Sequence, residues 1–148
     1  MSTLIRAAVP NDCEAIVELT QAIADWEKAA FNSTGKAEKI NTAIFETKRL
    51  HCLLAETDQV ISGFVTYSIE FSLFEAADYL RMNSLYIKPE FRRNGIGKAL
   101  VEALYPIAKG LQLNSIRFFT PEFNQAAIDF YTSLGATSNY AVRFQLPV

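Results

Sequence analysis

Ser84-Leu85-Tyr86-Ile87-Lys88-Pro89-Glu90-Phe91-Arg92-Arg93-Asn94-Gly95-Ile96-Gly97-Lys98-Ala99-Leu100 is the stretch from which this chain is best read. A strand-like run ends, a basic loop with two glycines follows, and apolar residues then recur at helical spacing. A helix start carries unpaired amides and the positive end of its dipole, so a loop of this kind is suited to an anion. Gly95 and Gly97 let the backbone come close to phosphate oxygens, and Arg92, Arg93 and Lys98 add positive charge. Two familiar phosphate loops are excluded. A P-loop requires Gly where Arg92 stands and Ser or Thr where Ala99 stands. A dinucleotide fingerprint begun at Gly95 requires Gly at Leu100.

Working outward, Ile96, Ala99, Leu100, Ala103, Leu104, Ile107, Ala108 and Leu111 mark an amphipathic helix, with a kink or frayed end expected at Pro106. Ser115 to Thr120 reads as a short strand. Asn124 to Leu134 reads as a helix stopped by Gly135, and Ala141 to Leu146 as a closing strand. Upstream, Leu4 to Val9 is an opening strand. Asn11 with Glu14 forms a variant capping box, and Ile16, Leu19, Ile23 and Trp26 give a helix to about residue 27. A weaker helix carries Ile40, Ile44 and Phe45. His51 to Glu56 and Val60 to Phe71 form a hairpin about Thr57-Asp58-Gln59, with Ile61, Gly63, Val65, Tyr67, Ile69 and Phe71 on one face. A further strand spans Tyr79 to Ile87. The order β-α-α-β-β-β-α-β-α-β predicts one α/β domain over residues 1–148, a mixed sheet with helices on both faces.

Arg92-x-x-Gly95-x-Gly97 opening a helix, followed by Asn124, Tyr131 and Leu134-Gly135-Ala136, resembles the GNAT family of N-acetyltransferases along nearly the whole chain. The resemblance implies the GNAT fold and acetyl-CoA as cosubstrate. It sets the pyrophosphate and pantetheine arm against Leu85, Tyr86, Ile87, Arg92, Arg93, Asn94, Gly95, Ile96, Gly97, Lys98, Ala99, Asn124, Ala127 and Tyr131. It also makes the Tyr131 hydroxyl the proton donor to the departing thiolate. Asn124 serves equally as a helix N-cap, and Tyr131 as a core aromatic. Direct attack by a neutral amine needs positioning and an amide for the oxyanion, here from Leu85 to Ile87.

His51-Cys52-Leu53-Leu54-Ala55-Glu56, Trp26-Glu27 and the spacing to Phe91-Arg92 are similar to the spermidine/spermine and thialysine acetyltransferase branch. That branch carries a Glu-Asp pair where this chain has Asn83 and Ser84, neither of which holds a negative charge. Trp26, Glu27, Asn83 and Ser84 are therefore the candidate acceptor residues, and polyamines are expected to be poor acceptors. Between Arg49 and Arg81 the sequence has acids (Glu56, Asp58, Glu70, Glu75, Asp78) and no Lys or Arg; these serve either as a site for a cationic amine or as a solvated hairpin.

Composition narrows the field. The chain has 148 residues, half of them apolar, and a formal net charge of −2, so nothing draws it to nucleic acid or to an anionic membrane. No apolar run is long enough for a membrane span, and the N-terminus lacks a signal core; a cytoplasmic protein is expected. Cys13, Cys52 and the single histidine, His51, cannot furnish a four-ligand zinc site, and no metal is expected. A homodimer is expected by family likeness, with Tyr140 to Phe144 as the contact strand. Three functions stay open: acetyl transfer to a small amine, acetyl transfer to a protein N-terminus or lysine, and binding of acyl-CoA without chemistry.

Overall fold

The computed structural model describes all 148 residues. Strands β1 (Thr3–Ala7), β2 (His51–Thr57), β3 (Val60–Ser72), β4 (Ala77–Ile87) and β5 (Ile116–Arg117) form one sheet in sequence order. The first four run antiparallel to their neighbours, and β5 lies parallel to β4. The helices are α1 (Cys13–Glu27), α2 (Lys36–Asn41), α3 (Ile96–Glu102), α4 (Leu104–Gly110) and α5 (Gln125–Ser133). Alternation along the strands feeds two cores. Ala55, Val65, Leu80 and Met82 pack against Ile96, Leu100 and Leu104 of α3 and α4. Cys52, Leu54 and Phe64 pack on the other face against Ile16 and Leu19 of α1 and Ile44. The mixed sheet with helices on both faces is thus as expected.

Two bulges change which side chains share a face. The β2–β3 ladder passes from Ala55↔Gly63 to Glu56↔Ile61, leaving Ser62 as the extra residue. Ile61 therefore joins the α1 core while Val65 and Tyr67 belong to the other, so the expected single face from Ile61 to Phe71 is not formed. The buried Ser62 hydroxyl is satisfied by the Ala55 carbonyl at 3.1 Å and the Thr57 hydroxyl at 2.8 Å. The β3–β4 ladder passes from Thr66↔Ser84 to Tyr67↔Met82, leaving Asn83 unpaired. The hairpin turn itself holds Asp58 at φ 49° and Gln59 at φ 69°, the two left-handed residues of a tight two-residue loop.

Several sequence expectations need correction. No capping box joins Asn11 and Glu14; α1 starts at Cys13, and the Asp12 carboxylate accepts from the Val9 amide at 2.8 Å. The kink or frayed end expected at Pro106 takes the form of a break into two helices, at Ala103. Pro106 brings no amide and its ring crowds the carbonyl four residues earlier, that of Glu102, so the break falls a turn before it. The strand expected over Ser115 to Thr120 pairs only at Ile116 and Arg117. The closing strand expected over Ala141 to Leu146 is not formed: residues 137–148 belong to no helix or strand and are all exposed. Tyr140, Val142, Phe144 and Leu146 have no surface of their own chain beside them, so nothing fixes the segment as a strand.

Candidate active site

Lys88 to Gly95 carries the chain from the end of β4 to the start of α3. Pro89–Phe91 forms a short 3-10 turn, Arg93 takes φ 66°, and Gly95 takes φ 77° at the helix N-cap. Arg92 Nε donates to the Ile87 carbonyl at 2.9 Å, and its guanidinium lies 5.4 Å from the Tyr86 ring centre. Asn94 Nδ2 donates to the carbonyls of Phe91 and Arg92, both at 3.1 Å. None of the amides from Arg93 through Lys98 donates a hydrogen bond within the protein. Consecutive free amides beside Arg92, Arg93 and Lys98 suit a polyanion such as a pyrophosphate. A Cβ on Gly97 would stand 3.5 Å from Phe130 Cζ and 3.8 Å from Ile87 Cγ1, ordinary contact distances, so this glycine lies close to both β4 and α5.

Beside the loop the sheet forks. β4 and β5 pair only at Leu80↔Ile116 and Arg81↔Arg117, and from Met82 to Ile87 the β5 side of β4 has no ladder partner. An extended amide-bearing molecule can lie along that edge. The bulge at Asn83 sits where the fork opens. It puts Leu80, Met82, Leu85 and Ile87 together on the α3 side. Apolar residues spaced 80, 82, 85, 87 carry that change of phase in the sequence itself, a signal the sequence reading passed over. Asn83 Nδ2 donates to the Ser68 hydroxyl at 3.1 Å.

Tyr131 lies on α5 with its ring 4.4 Å from that of Phe118 and 5.3 Å from that of Phe130. Burial pushes its phenol up to about 12, so the group stays protonated throughout the neutral range and is available as a donor. Asn124 caps α5, its Oδ1 accepting from the Ala127 amide at 3.3 Å, which is the capping role the sequence allowed. Both cysteines are free and buried, and burial pushes the Cys52 thiol up to about 12, leaving it inert as a nucleophile. His51 stacks on Tyr67 at 4.9 Å, and burial lowers its pKa.

Three of the five acids of the hairpin are held in ion pairs. Glu56 pairs with Arg6 at 2.9 Å, Glu70 with Arg81 at 3.3 Å, and Glu75 with Arg117. Arg117 also lies 4.1 Å from the Tyr79 ring centre, and Arg81 5.3 Å from that of Phe119. The sequence reading missed these two arginines. They meet only through the β4–β5 register, which joins residues more than thirty positions apart. Trp26 and Glu27 close α1 on the exposed surface, and no hydrogen bond or ion pair links Glu27 to Asn83 or Ser84.

The free-amide loop at the start of α3, the unpaired end of β4 and the buried tyrosine of α5 are features that an acyl-CoA-dependent transferase would use. The sequence pattern of the acetyltransferase (GNAT) family matches residues 2–136, and the chain belongs to that family. It is an N-acetyltransferase that uses acetyl-CoA as cosubstrate. Among its relatives is a thialysine N-epsilon-acetyltransferase of Bos taurus, 28% identical over 142 residues, 90% of this chain and 83% of that protein. A spermidine/spermine N(1)-acetyltransferase-like protein of Homo sapiens is 28% identical over 89% of this chain and 20% of its own length. In fold the chain resembles a possible acetyltransferase from Clostridium difficile 630, at a TM-score of 0.85 and 18% identity, covering 100% of this chain and 99% of that one.

Proposed function

We propose that the enzyme acetylates the primary amine of a small molecule that also carries a carboxylate, as an amino acid does. The observation that carries this reading is the charge at the fork. Asn83 and Ser84 are neutral there, Glu70 and Glu75 are bound into ion pairs, and Arg81 and Arg117 stand at the last rung of the β4–β5 ladder. The same pairs neutralise Arg81 and Arg117, so the fork has no free carboxylate for the second cation of a polyamine, whereas an acceptor that carries its own carboxylate needs none. The thialysine-acetylating relative fits this charge pattern better than the spermidine/spermine-like one.

The geometry and the family likeness support the following residue roles. The amides from Arg93 to Lys98 with Arg92 and Arg93 hold the pyrophosphate, and the open edge of Leu85, Tyr86 and Ile87 aligns the pantetheine arm. A neutral amine attacks the thioester carbonyl directly, the carbonyl oxygen gains charge near a β4 amide, and the C–S bond breaks as Tyr131 gives its proton to the sulfur. With no carboxylate at positions 83 and 84, water takes the amine's proton. The two buried free cysteines accord with a reducing cytoplasm, and a homodimer belongs to the same reading.

Acetyl-CoA-dependent thiol release across polyamines, diamino acids, monoamines and peptides tests this. Diamino acids should turn over at least tenfold faster than spermidine. Asn83→Glu with Ser84→Asp should shift preference toward polyamines. Efficient wild-type turnover of spermidine would overturn the acceptor reading, and tight CoA binding without turnover of any amine would leave a binding module.

A further inference from the structure

Arg81 is the least satisfied polar side chain of the fork. Its Nη1 donates to Glu70 Oε1 at 3.3 Å, Nη2 donates to no protein group, and Nε is the one buried side-chain nitrogen or oxygen without a partner. Arg117, its register partner, is by contrast held by Ser115 Oγ at 3.0 Å and by Glu75. Nε and Nη2 form the edge on which a guanidinium takes a carboxylate through two parallel hydrogen bonds. An N–H buried without an acceptor is costly, and a carboxylate meeting that edge removes the cost. Glu70 keeps capacity as well. Its Oε1 accepts from Arg81 and its Oε2 from the Tyr79 hydroxyl at 2.9 Å, and a carboxylate accepts about twice that number. Glu70 and Ser68 are alternate residues of β3; Arg81 bonds the first and Asn83 the second, so Arg81 and Asn83 share the face of the sheet turned away from α3. They stand two residues, roughly 7 Å, apart on β4, Arg81 at the last rung and Asn83 where the fork opens.

We propose that the Arg81–Glu70 pair recognises the α-amino acid head of a diamino acid whose side-chain amine is the one acetylated. The carboxylate of the head lies on the Nε–Nη2 edge of Arg81, its α-ammonium on the outer lone pairs of Glu70, and the side-chain amine reaches Asn83 and Ser84 at the thioester. The inference rests on the small-amine reading above and names the acceptor class that the site takes. Pair and zwitterionic head each have no net charge, so four groups of alternating sign close on one another. A spacer of ornithine or lysine length matches the separation of Arg81 from Asn83. A polyamine brings a cation where Arg81 stands and leaves the guanidinium edge unmet. Phe119, its ring 5.3 Å from the guanidinium and 78% exposed, is the neighbour that turns aside to open Nε as the head enters.

Thialysine, its carboxamide and its derivative blocked at the α-amine are compared as acceptors by thiol release, and the position of the new acetyl group is read by NMR. The wild type should acetylate the side-chain amine. Either change to the head should lower its kcat/KM by about tenfold or more, carried by KM. Arg81→Lys keeps the charge but not the two-donor edge, so it should turn over acid and carboxamide alike while still discriminating against the blocked amine. Glu70→Gln should do the reverse, and it carries the test by itself if Arg81→Lys does not fold. Each variant is read as a ratio between acceptors, so a general loss of active enzyme cancels. A wild type indifferent to the carboxamide would remove the acceptor reading together with this site. A wild type that prefers the acid, with the same preference kept in Arg81→Lys, would leave the acceptor reading standing and overturn the site alone. Acetylation at the α-amine, or variants that lower all three acceptors equally, would overturn it as well.

Discussion

Tyr131 is held by aromatic contacts on one side and borders an open groove on the other, and no hydrogen bond fixes its hydroxyl. Its pKa of about 12 has burial as its cause. A phenol in that state is a proton donor over the whole working range of the enzyme. Tyr131→Phe should lower kcat by about 10²–10⁴-fold, the usual contribution of one positioned acid, with little change in CoA affinity because the ring is kept. The wild-type rate should go on rising through pH 9 to 10 as the amine substrate deprotonates, with no fall where an unperturbed tyrosine would begin to titrate. Full activity in the Tyr131→Phe enzyme, measured by thiol release, would reduce Tyr131 to packing. The linked effect on stability has the same origin. The folded-state pKa is raised, so the contribution is intact below the unfolded value near 10 and is lost as pH rises toward 12.

At the scale of elements, the loop between β4 and α3 does two things with one residue. Arg92 ties its own loop to the end of β4 through the Ile87 carbonyl while its remaining N–H groups are free for an anion. Arg92→Ala should cost on the order of 1–3 kcal/mol of CoA binding, the range for a charge-assisted hydrogen bond. Titration calorimetry with a pantetheine fragment separates the roles. If Arg92 acts on the pyrophosphate, the fragment binds wild type and variant alike; if the fragment loses as much as CoA, the arginine serves only the loop. The two bulges belong to this scale as well. The one at Ser62 turns Ile61 toward α1, and the one at Asn83 rephases the end of β4 at the fork.

Across the whole molecule, the N-terminal strand, the start of α1 and the second strand are joined by one arginine. Arg6 meets Asp12 through two hydrogen bonds of 2.8 and 3.1 Å and Glu56 through a third of 2.9 Å. The Arg6 bonds first, then the Val9 amide, hold the Asp12 carboxyl below its ordinary range against the opposing effect of burial. Arg6→Ala leaves a carboxylate with 11% side-chain exposure facing no cation, and it should lower stability at pH 7 by about 1–3 kcal/mol. A depressed carboxyl contributes above its unfolded pKa and loses that contribution as pH falls through the folded value. The gap between wild type and variant in urea unfolding should therefore be widest near neutrality and narrow below about pH 4. A gap that stays constant with pH would show that Arg6 acts through packing alone.

Local chemistry in the sequence was enough to fix the strand–loop–helix at Ser84 to Leu100, the end of α1 at Glu27, the place of the hairpin turn though not its two-residue length, and Gly135 as the stop of α5. These rest on backbone preference and on apolar spacing within a few residues, and neither needs the rest of the fold to be expressed. The Asn124 cap is of the same kind. What depended on pairing between distant segments was not legible. The bulge at Ser62 exists only as a difference in register between two strands, whereas the one at Asn83 also marks the apolar spacing at 80, 82, 85 and 87. The arginines at the fork meet through a parallel ladder of two rungs, and that meeting turned an apparent surplus of acid into closed ion pairs. The last strand shows the division most plainly. Alternation from Tyr140 to Leu146 states that the segment is made to lie on a sheet, but the pattern carries no address for that sheet. Only the tertiary structure, with β5 ending in a free edge and the tail clear of its own body, decides that the chain by itself leaves the strand unpaired.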